Sequence, residues 1–131
     1  VRITNEQAGN MINALVPLLG RTDSLGYAAA YNTRTLTNEA MEYIQLYQRK
    51  LEEYGTPVVD EDGNQTGQYE LEVASQNFER FRDETRDFAL MEHDFEPYTV
   101  PVTDAMGRIS GSQMLSVQWM FVWGDTKGGD A

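Results

Sequence analysis

His93 is the one histidine of the chain, and it stands between Glu92 and Asp94. An imidazole beside carboxylates is the pattern of a general base or a metal ligand, because its charge changes near neutral pH. That chemistry needs a nucleophile or further ligands, and the sequence marks none. There is no cysteine, which excludes thiolate nucleophiles, iron–sulfur clusters and cysteine zinc sites. The run Asp60-Glu61-Asp62-Gly63-Asn64-Gln65-Thr66 places oxygen side chains at alternate positions, as a calcium loop does. The rest of that pattern fails. The sixth position, where the sharp turn needs glycine, is Gln65, and the twelfth, where a bidentate carboxylate closes the site, is Leu71. The run therefore reads as a turn in an acidic arm. Gly107-Arg108-Ile109-Ser110-Gly111 has neither phosphate-loop nor dinucleotide glycine spacing, and no serine elbow occurs. Arg80, Arg82 and Arg86 form the densest basic cluster, but Glu70, Glu72, Glu79, Asp83, Glu84, Asp87 and Glu92 surround it. A nucleic-acid footprint is not expected there. No catalytic residue, metal or cofactor is assigned.

The charge balance points the same way. The chain has 131 residues, with 10 basic and 21 acidic side chains and a net charge of −11. The excess is lopsided, near −1 over residues 1–55 and near −10 over residues 56–131. Such a C-terminal half repels phosphate. It serves solubility, a basic protein partner, or mimicry of nucleic acid. No apolar stretch approaches the roughly 20 residues needed to span a bilayer, and Val1–Glu6 do not read as a signal peptide. No membrane partner is expected.

The elements that must position these residues can be read from spacing. Thr4 and Gln7 form a capping box for a first helix. Ala8, Met11, Ile12, Leu15, Val16 and Leu19 make its apolar stripe, and Pro17 ends or kinks it near Val16. A second element lies within Ser24–Tyr54, a long helix with a break expected near Thr35–Asn38, where Thr37 or Asn38 can cap a new start at Glu39. Tyr27, Tyr31, Ile44, Tyr47, Leu51 and Tyr54 give it an aromatic-rich face, and Gly55 stops it. Pro57–Asp60 and Gln68–Leu71 flank a turn rich in Asp, Gly and Asn, which predicts a small hairpin within residues 56–71. A third helix is predicted over Val73–Phe88, with Phe78, Phe81 and Phe88 packing on the first two. Ala89–Val102 reads as an edge strand or connector because of Pro97 and Pro101. Ser110 and Gln113 cap a last apolar helix on which Trp119 and Trp123 share a face. A buried strand over Met114–Trp123 is its alternative. The expected fold is α+β, a mainly helical single domain over residues 1–123 with a small antiparallel hairpin or β-arm, followed by a flexible polar tail at 124–131.

The order of these features resembles a family of small, uncharacterised proteins of tailed bacteriophages and prophages of Gram-positive bacteria. The likeness is carried by Leu25-Gly26-Tyr27-Ala28-Ala29-Ala30-Tyr31-Asn32, Leu51-Glu52-Glu53-Tyr54-Gly55, Asp60-Glu61-Asp62-Gly63-Asn64 and Asn77-Phe78-Glu79-Arg80-Phe81. It extends over about residues 3–122. The resemblance implies phage origin, a virion-assembly or other late role, and residence in the host bacterial cytoplasm or the virion. It implies no catalytic residue.

The expectation is thus a non-enzymatic structural or assembly protein acting through contacts with a protein partner or with itself. The alternative is a small acidic inhibitor that mimics nucleic acid and binds a host protein. The candidate contact residues are Tyr27, Tyr31, Tyr47 and Tyr54 on the second helix, with Asp60, Asp62 and Tyr69 on the arm. A structural role predicts scattered carboxylates and an apolar patch, whereas a mimic predicts a continuous acidic stripe.

Overall fold

The computed structural model describes residues 1–123; the expected polar tail lies outside them. The fold is α+β and mainly helical, with small two-stranded sheets. A short strand β1 (Arg2–Thr4) leads into α1 (Asn5–Leu15). The Thr4–Gln7 capping box forms as expected, with Thr4 Oγ1 accepting from the Gln7 amide and the Gln7 side chain accepting from the Thr4 amide. Pro17 sits in a 3-10 turn over Val16–Leu18, which ends the α-helix one residue before Val16.

The long second element divides into α2 (Ser24–Glu39) and α3 (Met41–Tyr54). The break falls at Ala40, not at Thr35–Asn38, and neither Thr37 nor Asn38 caps a helix. No local breaker marks Ala40. The backbone leaves helical geometry at Ala40 (φ −100°, ψ 12°), whose side chain is buried in the core. The aromatic-face reading of α2 also needs correction. Its buried stripe is Leu25, Ala28, Ala29, Asn32 and Leu36, and small alanines let α1 approach closely. Tyr27 and Tyr31 lie on its exposed side. Asp23 caps α2, and Gly26 permits the close entry: a Cβ there would lie 2.0 Å from the Arg21 carbonyl oxygen.

The predicted hairpin is present as β2 (Thr56–Val59) and β3 (Gln65–Glu70), antiparallel with an irregularity between Pro57 and Val59. Gly63 turns it with φ +82°. Then α4 (Gln76–Ala89) starts at a Ser75 cap, three residues later than expected, and runs antiparallel along α3. Val73 is exposed before it. Of the three phenylalanines, Phe81 packs edge-on against Tyr47 with ring centroids 5.0 Å apart. Phe88 is instead half-exposed, so the expected three-residue stripe is only partly used. Burying the Phe81 ring is worth about 1.5–3 kcal/mol.

Strand β4 (Glu92–Asp94) pairs antiparallel with β1, joining Ile3 to His93. The two-residue β5 (Val100–Pro101) lies in the expected edge strand or connector and pairs in parallel with β6 (Phe121–Val122), which falls within the alternative strand over Met114–Trp123; their pairing was not expected. Between them, the Ser110–Gln113 capping box starts α5 (Gly111–Ser116) as predicted. The helix stops at Ser116, gives way to a 3-10 turn over Gln118–Met120, and ends in β6. The expected shared face of Trp119 and Trp123 therefore does not exist. Trp119 packs on Phe95 and Trp123 on Phe121, because Val117, Met120 and Phe121 are drawn into the core one by one. That core gathers Leu15, Leu18, Leu25, Leu36, Phe95 and Met120 between α1, α2 and the C-terminal segment.

Candidate functional site

The sequence offered seven contact residues, and the fold distributes them over separate places. Tyr27 and Tyr31, one turn apart on α2, share an exposed cluster with Tyr98 from the connector before β5. Ring centroids lie 6.3 Å (Tyr27–Tyr31), 5.3 Å (Tyr27–Tyr98) and 5.0 Å (Tyr31–Tyr98) apart. All three rings are open to solvent, Tyr27 most of all at 59%. The Arg34 guanidinium lies 5.4 Å from the Tyr31 ring centre.

What holds Tyr98 there is a buried side chain. Asn32 Nδ2 donates to the Tyr98 carbonyl at 2.9 Å, and the Tyr98 amide donates to Asn32 Oδ1 at 2.8 Å. The amide of Asn32 thus acts as a strand edge for one residue. It satisfies both backbone groups of Tyr98 and its own donor and acceptor at a fully buried position. Neither Tyr98 nor Asn32 was picked out by sequence. The only signal for Asn32 is its place in the i, i+3, i+4 apolar row of α2, where a polar residue must find a partner.

Tyr47 and Tyr54 belong to the α3–α4 seam. Tyr47 packs on Tyr43 and Phe81. The Tyr54 hydroxyl donates to the Glu84 carboxylate, and that bond pushes its pKa up to about 12. Glu84 also accepts from Lys50 at 2.7 Å, and the two bonds hold its carboxyl below the usual range, Lys50 contributing more. Tyr69 is half-buried on β3. Asp60 serves the hairpin turn: its Oδ1 accepts from the Asp62 and Asn64 amides, both at 2.9 Å. The carboxylate that would open a calcium loop is thereby used to close the turn. Asp62 is exposed at the tip.

His93 does not work with its chain neighbours. Strand alternation turns Glu92 and Asp94 to the other side, where both pair with Arg2 at 3.2 and 3.5 Å. The His93 ring instead meets Glu39 of α2, with Nδ1 3.5 Å from Oε1, and Asn5, with Nε2 2.7 Å from Oδ1. Asn5 is buried and also donates its side-chain amide to the Phe88 carbonyl, while its backbone amide donates to Met91. The histidine is thereby part of a hydrogen-bonded junction of β1, α1, α2, α4 and β4. It lines a groove of about 340 Å³ beside Glu42, Leu46, Arg49, Phe88 and Met91. Among the described residues, no group of three or more His, Cys, Asp and Glu gathers as metal ligands do, and no helix is long and apolar enough to cross a membrane.

Some of the carboxylates have partners within the chain. Asp23 is taken by Arg21, Glu92 and Asp94 by Arg2, Glu84 by Lys50, and Asp104 accepts from Ser24. On α4, Arg80, Arg82 and Arg86 interleave with the acids. No protein-family model, curated protein or solved structure matches the chain.

Proposed function

We propose that this protein is a non-enzymatic structural or assembly component of a phage or prophage that works by protein–protein contact. One observation carries the contact part of the reading: three exposed tyrosines, Tyr27, Tyr31 and Tyr98, are held together by a buried asparagine. Large rigid rings with polar tips supply contact area at low entropic cost, which is why tyrosine is enriched where proteins meet. The phage part rests on the sequence resemblance. Asp23, Glu84, Glu92 and Asp94 are each engaged by a basic side chain of the same chain, which takes them out of the free acid surface a mimic would need.

The test is affinity capture from infected or lysogenic cells, read by mass spectrometry, with the wild type beside a Tyr27→Ser/Tyr98→Ser variant. Capsid or tail proteins are expected with the wild type and lost with the variant. Recovery of a host nuclease or polymerase through salt-sensitive binding replaces this reading with the mimic. Turnover abolished by His93→Ala ends both.

A further inference from the structure

The outer stripe of α3 has no role in the contacts described above. Glu42, Gln45, Leu46 and Arg49 stand at i, i+3, i+4 and i+7, so they share one face, and all four line the groove beside His93. Glu42 and Arg49 are exposed, and neither enters any ion pair among the described residues. Leu46 lies between them, and Phe88 and Met91, each about half exposed at 46% and 53%, flank it from the end of α4. The stripe therefore reads acid, apolar, base over about 10 Å of helix.

That sequence of charges is its own complement when reversed. We infer that α3 of one copy packs antiparallel against α3 of a second copy across a two-fold axis near Gln45–Leu46. Glu42 of each copy then meets Arg49 of the other, and the two Leu46 side chains come together at the centre. A two-fold interface must be self-complementary in this way. Charge argues for this occupant over a basic partner. Two chains of net charge −11 repel at long range, so they associate where the surface is locally balanced, and the unpaired Glu42 and Arg49 cancel. The remaining acid of the groove, Glu39, already faces His93. Phe88 and Met91 add apolar area beside the paired helices.

This inference rests on the protein-contact reading and gives it a first partner. The experiment is sedimentation equilibrium over a wide concentration range, with far-UV circular dichroism as the control for folding. The wild type is expected to dimerise. Glu42→Arg and Arg49→Glu each create two like-charge pairs per dimer, and each is expected to weaken association by about tenfold or more. The double variant Glu42→Arg/Arg49→Glu restores opposite charges across the axis and is expected to recover the dimer. A wild type that stays monomeric overturns the inference. So does a dimer indifferent to the single changes, or a natively folded double variant that fails to recover. None of these outcomes touches the tyrosine cluster, whose own capture experiment tests the broader reading separately.

Discussion

Two buried asparagines act as pieces of backbone. Asn32 brackets Tyr98 from both sides, and Asn5 ties the start of α1 to the end of α4 and to His93. Removing such a group leaves its partners dry and unpaired, which costs about 1–3 kcal/mol. Asn32→Ala is expected to lose that much in urea unfolding, with the Tyr98 signal moving in NMR spectra. A loss below a few tenths would show that water replaces the bracket. Asp23 makes a pH-dependent contribution. Its bond to Arg21 lowers its carboxyl from 3.8 to about 2. A carboxyl lowered on folding stabilises the protein above its unfolded value and loses that contribution as pH falls. The stability gap between wild type and Arg21→Met is therefore expected to close between pH 3.8 and about 2, followed by urea midpoints. At this scale, the sequence revealed two of the caps: Thr4 and Ser110 accept the amides expected of them, whereas Thr37 and Asn38 cap no helix and the caps at Asp23 and Ser75 carried no mark. It did not reveal which polar residues are brackets. Only long-range partners show why an asparagine belongs inside α2 at Asn32.

Elements obeyed their periodicity where burial came from one side. The hairpin and the amphipathic α4 were legible, and so was the stripe of α1 as far as Leu15; Val16 and Leu19, expected to continue it, are exposed, because the 3-10 turn at Pro17 turns Leu18 into the core instead. Two boundaries were not legible. The α2–α3 break falls at the buried Ala40, which carries no local signature. The C-terminal segment is apolar in every direction, so period could not decide between helix and strand, and the chain uses α5, a 3-10 turn and β6 in succession. The entry to α2 gives a test in which propensity and packing disagree in sign. Helix propensity alone makes Gly26→Ala stabilising by about 1 kcal/mol. Packing makes it destabilising, since the new methyl would lie 2.0 Å from the Arg21 carbonyl oxygen, a backbone atom. We expect a loss of about 2 kcal/mol or more by thermal or urea unfolding. A gain would mean that the 3-10 turn and α2 separate freely.

Across the whole molecule, burial is uneven. The core lies among α1, α2 and the C-terminal segment, whereas the hairpin exposes most of both strands. Thr56 and Glu70 already face each other across β2 and β3. Replacing residues 57–69 by a two-residue Asn-Gly turn is therefore expected to change unfolding free energy by no more than about 1 kcal/mol. A collapse of α3–α4 helicity in circular dichroism would show instead that the arm holds the seam. The candidate site was legible in part: Tyr27 and Tyr31 were visible as tyrosines at helical spacing and as candidate contacts, though not as residues of the exposed side. Their assembly with Tyr98 was not visible, because it joins positions that only the fold brings together.

The pairing of β1 with β4 has a consequence for how the chain comes to be built. Ile3 finds its mate in His93, and Arg2 reaches Glu92 across 90 positions of sequence. On a ribosome, β1 waits for its partner until the stretch of 90 residues that separates Arg2 from Glu92 has been made. Helices α1 to α3 can associate through nearer neighbours in the meantime. Closure of this strand pair then comes late in synthesis, and with it the burial of Asn5 that fastens the early helices to the later ones.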